Sequence, residues 1–536
     1  MSSIIRRADI LLNEKPWLVF VFFTLLVVFL RWYSFYLSVI DWDESLYLLV
    51  AKAWLDGNPP YTTIWDNKPP GIYAIFSIAI SALGHSILSI RIMACLFVSI
   101  TCFFLYKIGN LIERNGRAIG LLSGILYAVV TSSNGGIASN TEIFFTTFVV
   151  IAFYLFFSTN IFHAGEPSSK QYLKLFLIGS LLGIGFEIKY VVLFDFLALF
   201  LILVFTFILQ VRSNKKYWLI LQAILFLLLG FVLPFIIVSL YFWLIGHFDD
   251  YIYANFTANK LRTINLGFSF SVPLKAILHQ ILADKFWFSV PSVTIYLLIA
   301  KTIPTRERWI LSSCIVWFFI TLLCICTVLR GFLFPHYFLQ LSPSLCLVTA
   351  YIVISLVFSG TKVEQSEFRK YLILGALLML LINTKDMYVV LYSNANYVYF
   401  RHIKGIRYWG DTPTLIAEYL KPRIKPNDYI YSVNEPIVYF LADANFPTRY
   451  AYPPFLRCCG MPNITGIDPL EELDIILQKR PVYIIELRTD RASVEYKQEV
   501  NDNKLFFEKL NQALHKSYRL ENSIDGRDLY RLNPKP

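Results

Sequence analysis

Residues 16–44 read PWLVFVFFTLLVVFLRWYSFYLSVIDWDE. A helix crossing a hydrocarbon core of about 30 Å needs about 20 apolar residues, and the run over 16–38 supplies them. Arg6, Arg7 and Lys15 precede the run and no small-residue cleavage site interrupts it, so it reads as a retained first span rather than a signal peptide. Three acids, Asp41, Asp43 and Glu44, stand at its far end. Burying charge beside a bilayer is costly, so three clustered carboxylates there ask for a reason.

Working outward, the chain of 536 residues is 56% hydrophobic and 16% charged, whereas a soluble globular chain carries roughly 25% charge. A wholly soluble protein is excluded. The balance changes near residue 393: residues 1–393 hold 28 Lys and Arg and 19 Asp and Glu, and residues 394–536 hold 20 and 18 in about a third of the length. We therefore expect a membrane domain over 1–393, including an outer loop at 39–87, and a soluble domain over 394–536. The net charge of +11 lies mostly in short loops of the membrane part, which does not imply nucleic-acid binding. Six of the eight cysteines lie in apolar runs and only Cys458 and Cys459 are elsewhere, with no disulfide framework or zinc spacing.

Eleven apolar runs emerge, near 16–38, 88–107, 117–133, 141–160, 172–187, 189–211, 217–246, 286–301, 309–329, 337–359 and 371–392. With the N-terminus inside, the cytoplasmic segments carry 17 Lys and Arg against 7 Asp and Glu, and the opposite loops 8 against 10. The positive-inside rule sets that orientation, and an odd span number puts the C-terminal domain outside. The expected fold is thus a polytopic α-helical membrane protein of about eleven spans with an extracytoplasmic C-terminal α/β domain. In the first outer loop, Leu46, Leu49, Val50, Ala53 and Trp54 recur at helical spacing up to Gly57-Asn58-Pro59-Pro60, which predicts a short amphipathic helix lying on the membrane surface. A second helix is expected from Pro69-Pro70-Gly71 to about Leu83. The C-terminal part alternates strand-like and helical stretches: Tyr429–Val433, Pro436–Ala442, Pro481–Glu486, Leu505–His515 and Asp528–Leu532. No glycine-rich phosphate loop occurs.

The candidate chemistry lies in the outer loops. Asp43 reads either as a helix N-cap or as a general base; one cap explains one acid and not three. Lys68, just before the second helix, suits an anion at that helix's N-terminus, the bland alternative being a surface lysine. Lys189, at the tip between two apolar runs, supplies a second cation, unless Glu187 simply neutralises it. Glu142 opens the fourth span and is equally a helix-start acid. Arg330, His336 and Tyr337 bring a cation, an imidazole and a phenol to the start of the tenth span, where each alone would be an interfacial residue. Acids and cations on the outer side, with no nucleotide loop, suggest a lipid-linked phosphate substrate.

Those residues carry a resemblance. Asp43-Glu44-x-x-Tyr47, Lys68-Pro69-Pro70, Glu142, Lys189 and Pro335-His336-Tyr337 resemble the GT-C membrane glycosyltransferases, nearest to bacterial relatives of the protein O-mannosyltransferases and of the lipid A aminoarabinose transferases. The resemblance implies inverting transfer from a polyprenyl-phosphate sugar to an acceptor hydroxyl on a glycan, lipid or protein, at a bacterial plasma membrane. It implies Asp43 as the base, Lys68 and Lys189 on the donor phosphate and Tyr337 in the donor site; beside these we expect Glu44 next to the base, Arg330 with the donor phosphate, and Asp41, Tyr47, Glu142 and His336 around the donor and acceptor. The aminoarabinose branch has a metal-binding glutamate before its K-P motif where this chain has Asn67, so no metal or other cofactor is expected to be required. The rival reading, a flippase or transporter of lipid-linked saccharides, predicts internal symmetry and charge at mid-membrane, neither of which the sequence offers.

Overall fold

A computed structural model describes residues 15–133, 135–159, 168–211, 217–265, 275, 289–328, 334–358, 388, 391–393, 395–406, 411–457 and 461–534. The apolar runs form helices. In chain order these and their companions are α1 (Pro16–Arg31), α2 (Trp42–Leu55), α3 (Gly71–Leu83), α4 (Ile87–Gly109), α5 (Gly116–Thr131), α6 (Thr141–Phe157), α7 (Ser169–Phe186), α8 (Val192–Val211), α9 (Tyr217–Leu244), α10 (Ala258–Asn265), α11 (Ser289–Ile299), α12 (Thr305–Val328) and α13 (Ser342–Phe358). Ten of the eleven expected spans thus coincide with helices, and the last, 371–392, lies almost wholly outside the described residues. Among the described residues, five helices are long and apolar enough to cross a membrane by length and composition.

The chain divides into two units, one of Met1–Phe35, Ile90–Leu240 and Phe268–Ala395, the other of Tyr36–Ser89, Tyr241–Gly267 and Asn396–Pro536. In the first, α6 packs on α7, α5 on α13, and α12 on both α8 and α13. The exterior stays apolar: Leu221, Leu225, Leu229, Ile236 and Ile237 of α9 are all more than half exposed, as expected of a helix solvated by lipid rather than water. Contact between α7 and α9 depends on small residues. A Cβ on Gly179 would stand 2.1 Å from the Leu227 carbonyl oxygen, and one on Gly230 2.0 Å from that of Phe176, so hydrogen side chains let the two backbones touch.

In the second unit, α2 begins at a capping box. Asp41 is the N-cap, its side chain accepts from the Asp43 N–H, and Glu44 reaches back to the Asp41 N–H. This corrects the reading of Asp43 as the cap, because the chain leaves extended geometry at Asp41, two residues earlier. The helix is also not buried on one face alone over these turns. Every residue from Glu44 to Ala51 is buried, because α3 packs on one side and a helix of the C-terminal segment, defined below as α15, on another. The helix α3 starts at Gly71 with Pro70 as its cap position and ends at Leu83.

The C-terminal segment contributes α14 (Thr412–Leu420), β1 (Ile430–Ser432), α15 (Ile437–Ala442), α16 (Pro469–Gln478), β2 (Tyr483–Leu487), α17 (Val494–Asp502), α18 (Lys504–Ser517), β3 (Tyr518–Ile524) and β4 (Arg527–Leu532). Its sheet runs β1-β2-β4-β3, with β1 parallel to β2 and the remaining pairs antiparallel. Asp525 and Gly526, both at positive φ, make the two-residue turn that joins β3 to β4. Tyr431, Leu473, Ile476, Ile484, Phe507 and Leu510 form the core between sheet and helices. β3 was not expected from sequence: its residues are mostly polar and it lies at the sheet edge, where little apolar surface needs burying.

Candidate active site

In the unit that holds the first loop, the first turn of α2 sorts its acids by task. Glu44 is 1% exposed and its Oε2 accepts from the backbone of Ile40 and Asp41. Asp41 is likewise engaged in the cap. Asp43 points elsewhere: its Oδ2 accepts from the Tyr47 hydroxyl at 3.1 Å and lies 3.7 Å from Lys68 Nζ. Both side chains of that ion pair are one-fifth exposed, so the pair can be reached from outside without being fully hydrated. Lys68 Nζ also stands 5.9 Å from the Tyr47 ring centroid. Asp43, Tyr47 and Lys68, separated by up to 25 residues, are thereby brought together.

The segment presenting Lys68 is held rigidly. Tyr61 adopts φ 74°, a left-handed conformation that costs a bulky residue of the order of 1–3 kcal/mol. Its hydroxyl donates to the Lys68 carbonyl at 2.7 Å, and Arg449 Nη2 donates to the Tyr61 carbonyl at 2.6 Å. Asn67 exchanges two hydrogen bonds with Asn259 of α10, at 3.1 and 3.0 Å. Asp66 is buried, accepts from the Tyr73 hydroxyl at 2.7 Å and from the Asn67 N–H at 2.7 Å, and burial pushes its carboxyl above the usual range against the lowering pull of Lys68 and Tyr73. Sequence reasoning passed over Asp66, Tyr61 and Asn259. An acid two residues before the K-P-P motif was a visible signal for the first; nothing local marks Asn259.

In the other unit, Glu142 occupies the first turn of α6, 2% exposed. One of its oxygens pairs closely with Lys189 Nζ and the other accepts from the Thr141 hydroxyl at 3.0 Å. Lys189 is therefore neutralised by Glu142 and not by its neighbour Glu187, both of whose oxygens are buried without a hydrogen-bond partner among the described residues. Lys189 Nζ also sits 4.5 Å from the centroid of Tyr337, which belongs to a 3₁₀ turn over Pro335–Leu341. His336, in the same turn, is buried against Gly135 and stacks parallel to Phe334, with ring centroids 5.6 Å apart. The turn is anchored by Gln340, whose Nε2 donates to Asp195 Oδ2 at 2.6 Å and to the Val191 carbonyl at 3.2 Å. Arg31 clamps the connection leading to Glu142, donating to the carbonyls of Thr131, Gly136 and Ile137 at 2.9, 2.7 and 2.9 Å. Arg330 lies outside the described residues.

The helices, the motif-bearing loop after the first of them and the α/β segment at the end give this chain a fold similar to that of solved membrane enzymes. The family model of dolichyl-phosphate-mannose-protein mannosyltransferases matches residues 67–238, a stretch that includes Lys68, Glu142 and Lys189. Among solved structures, ArnT from Cupriavidus metallidurans bound to undecaprenyl phosphate is similar over 97% of this chain and 100% of its own, at 13% identity and TM-score 0.57. Its apo structure gives 0.58, over 98% of this chain and 100% of that one, also at 13% identity. The oligosaccharyltransferase AglB from Archaeoglobus fulgidus, in complex with an inhibitory peptide and a dolichol-phosphate, is similar over 97% of this chain and 74% of its own, at 13% identity and TM-score 0.50. Comparison with curated proteins gave no match.

Proposed function

We propose that this chain is an inverting glycosyltransferase that moves a sugar from a polyprenyl-phosphate donor to an acceptor hydroxyl on the outer face of a bacterial plasma membrane. The observation that carries the reading is the separation of roles at α2: Asp41 and Glu44 are committed to the cap, while Asp43 meets a phenol and an ammonium at a partly open position. The GT-C fold supports it, and so do two similar structures that hold undecaprenyl phosphate and dolichol-phosphate.

An acceptor hydroxyl is a weak nucleophile. In the proposed step its proton passes to an Asp43 oxygen as its own oxygen bonds to the anomeric carbon. The bond from that carbon to the phosphate oxygen breaks with its electron pair on the opposite face, which inverts the centre. Polyprenyl phosphate leaves with its negative charge, for which Lys68 is the proposed counter-cation, with Lys189 assigned to the same task and tested separately. A monophosphate leaving group needs no chelation, so no divalent ion is required.

The test is Asp43→Asn, assayed with and without a chelator on a panel of radiolabelled polyprenyl-phosphate sugars. The amide keeps an acceptor for Tyr47 and leaves the Asp41 cap untouched, so expression and donor binding stay near normal while turnover falls roughly 10²- to 10⁴-fold. Near-wild-type transfer by Asp43→Asn removes the base assignment. The outer-face assignment predicts that cysteine labels placed after residue 411 react from outside the cell and a label at Ser213 only from inside; the reverse pattern turns Asp43 toward the cytosol and ends the reading.

A further inference from the structure

A second concave site lies in the same unit as Asp43, at the opposite end of α2. It is a cleft of about 460 Å³, lined on one side by residues of α2 and the turn after it and on the other by the C-terminal segment. That volume falls in the range of small-molecule sites, about 300–1,000 Å³. Lys52 lines it nine residues after Asp43, a separation of about 13 Å along the helix axis at about 1.5 Å per residue.

Three cations line the cleft, Lys52, Arg449 and Lys479, against one carboxylate, Asp56. Lys52 is already paired, 3.5 Å from Asp56 and 3.1 Å from Asp443. The other two have no carboxylate partner among the described residues. Arg449 spends Nη2 on the Tyr61 carbonyl, and its Nε is buried with no hydrogen-bond partner. Lys479 is exposed and stands 5.3 Å from the centroid of the Tyr429 ring, another lining residue. Asn58 and Thr63, on the same wall as Lys52, are exposed and add an amide and a hydroxyl.

We propose that this cleft binds an acidic saccharide and serves as a docking subsite for the acceptor. Two cations lacking carboxylates select an anionic group, an amide and a hydroxyl match sugar hydroxyls in both directions of hydrogen bonding, and an aromatic ring suits the C–H face of a sugar. The acceptor role rests on the transfer proposed above. Lys52 lies about 13 Å along the helix axis from Asp43, so a sugar held against Lys52 is not the one attacked; an acceptor chain several units long would reach from one to the other.

The test uses the purified full-length chain in nanodiscs and measures binding of a galacturonate hexamer, maltohexaose and a glutamate hexapeptide. The galacturonate hexamer is expected to bind saturably and at least about tenfold more tightly than either of the others. Lys479→Gln, at an exposed position that leaves the fold intact, should weaken that binding about fivefold, the worth of a partly exposed charge contact. Absence of saturable galacturonate binding, equal binding by maltohexaose or by the peptide, or binding unchanged in Lys479→Gln overturns the proposal. Asp43→Asn should bind the hexamer like the wild type. Normal transfer by Asp43→Asn would overturn the catalytic reading and not the cleft, so the two failures read out separately.

Discussion

Asp41 and Asp43, two residues apart, are chemically identical and structurally unlike. Asp41 closes a helix whose first N–H groups would otherwise lack acceptors, so Asp41→Ala should cost about 1 kcal/mol of stability and Asp41→Asn very little. Asp43→Asn should do the opposite, sparing the melting temperature and losing turnover. The two lysines differ in the same way. Lys68→Met removes a partly exposed cation and should weaken donor binding by about 2 kcal/mol, roughly thirtyfold, with little effect on folding. Lys189→Met would strand the buried Glu142 carboxylate and should destabilise the fold by about 3–5 kcal/mol. The informative comparison there is Lys189→Met with Glu142→Gln in one chain, which restores folding and isolates any loss of donor affinity. Unchanged donor affinity in both this double variant and Lys68→Met would make the lysines structural.

At the scale of elements, the α7–α9 contact is set by residues with no side chain. Alanine at Gly179 would place its methyl within about 2 Å of a backbone oxygen that cannot rotate away, so the helices must separate along their length. Overpacking of this kind costs typically 1–3 kcal/mol. Gly179→Ala should therefore lower the thermal midpoint by several degrees; an unchanged midpoint would mean that α7 and α9 do not meet at this contact. The glycines were present in the sequence but silent there, since a small residue in an apolar run says nothing of which helix approaches it. The helices of the first loop were legible because proline and glycine punctuate them. That α2 is buried on every side from Glu44 to Ala51 was not, since its i, i+3, i+4 pattern reads the same whether the remaining faces meet water or protein.

At the scale of the whole chain, the charge shift near residue 393 marks where the sheet-containing segment begins, and that segment carries its own pH dependence. Glu486 on β2 faces Asp528 across the strand pair, and burial, helped by Asp528 and opposed by Arg457, pushes its carboxyl up to about 7. The folded state then holds a proton that an unfolded glutamate, at about 4.5, has released. The stability contributed by Glu486 is therefore fully present below about 4.5 and is lost as pH rises through about 7. Hydrogen-exchange protection of the β2 amides, corrected for intrinsic rates, should be lower at pH 8 than at pH 5, and Glu486→Gln should flatten the difference. Protection that rises with pH would contradict the assignment.

The sequence by itself determined the helical segments, the motif-bearing loop, the α/β character of the C-terminal part and the GT-C resemblance. All of these follow from composition and from spacings of a few residues, the range over which apolar periodicity, proline and glycine act. Only the tertiary structure decided which acid caps α2, that Lys68 meets Asp43 from 25 positions away, and that Lys189 belongs to Glu142 and not to Glu187. Those pairings depend on which helix faces pack together. Several carboxylates lay within chemical reach of each cation on paper, and the packing of the helices set Asp43 beside Lys68 and Glu142 beside Lys189.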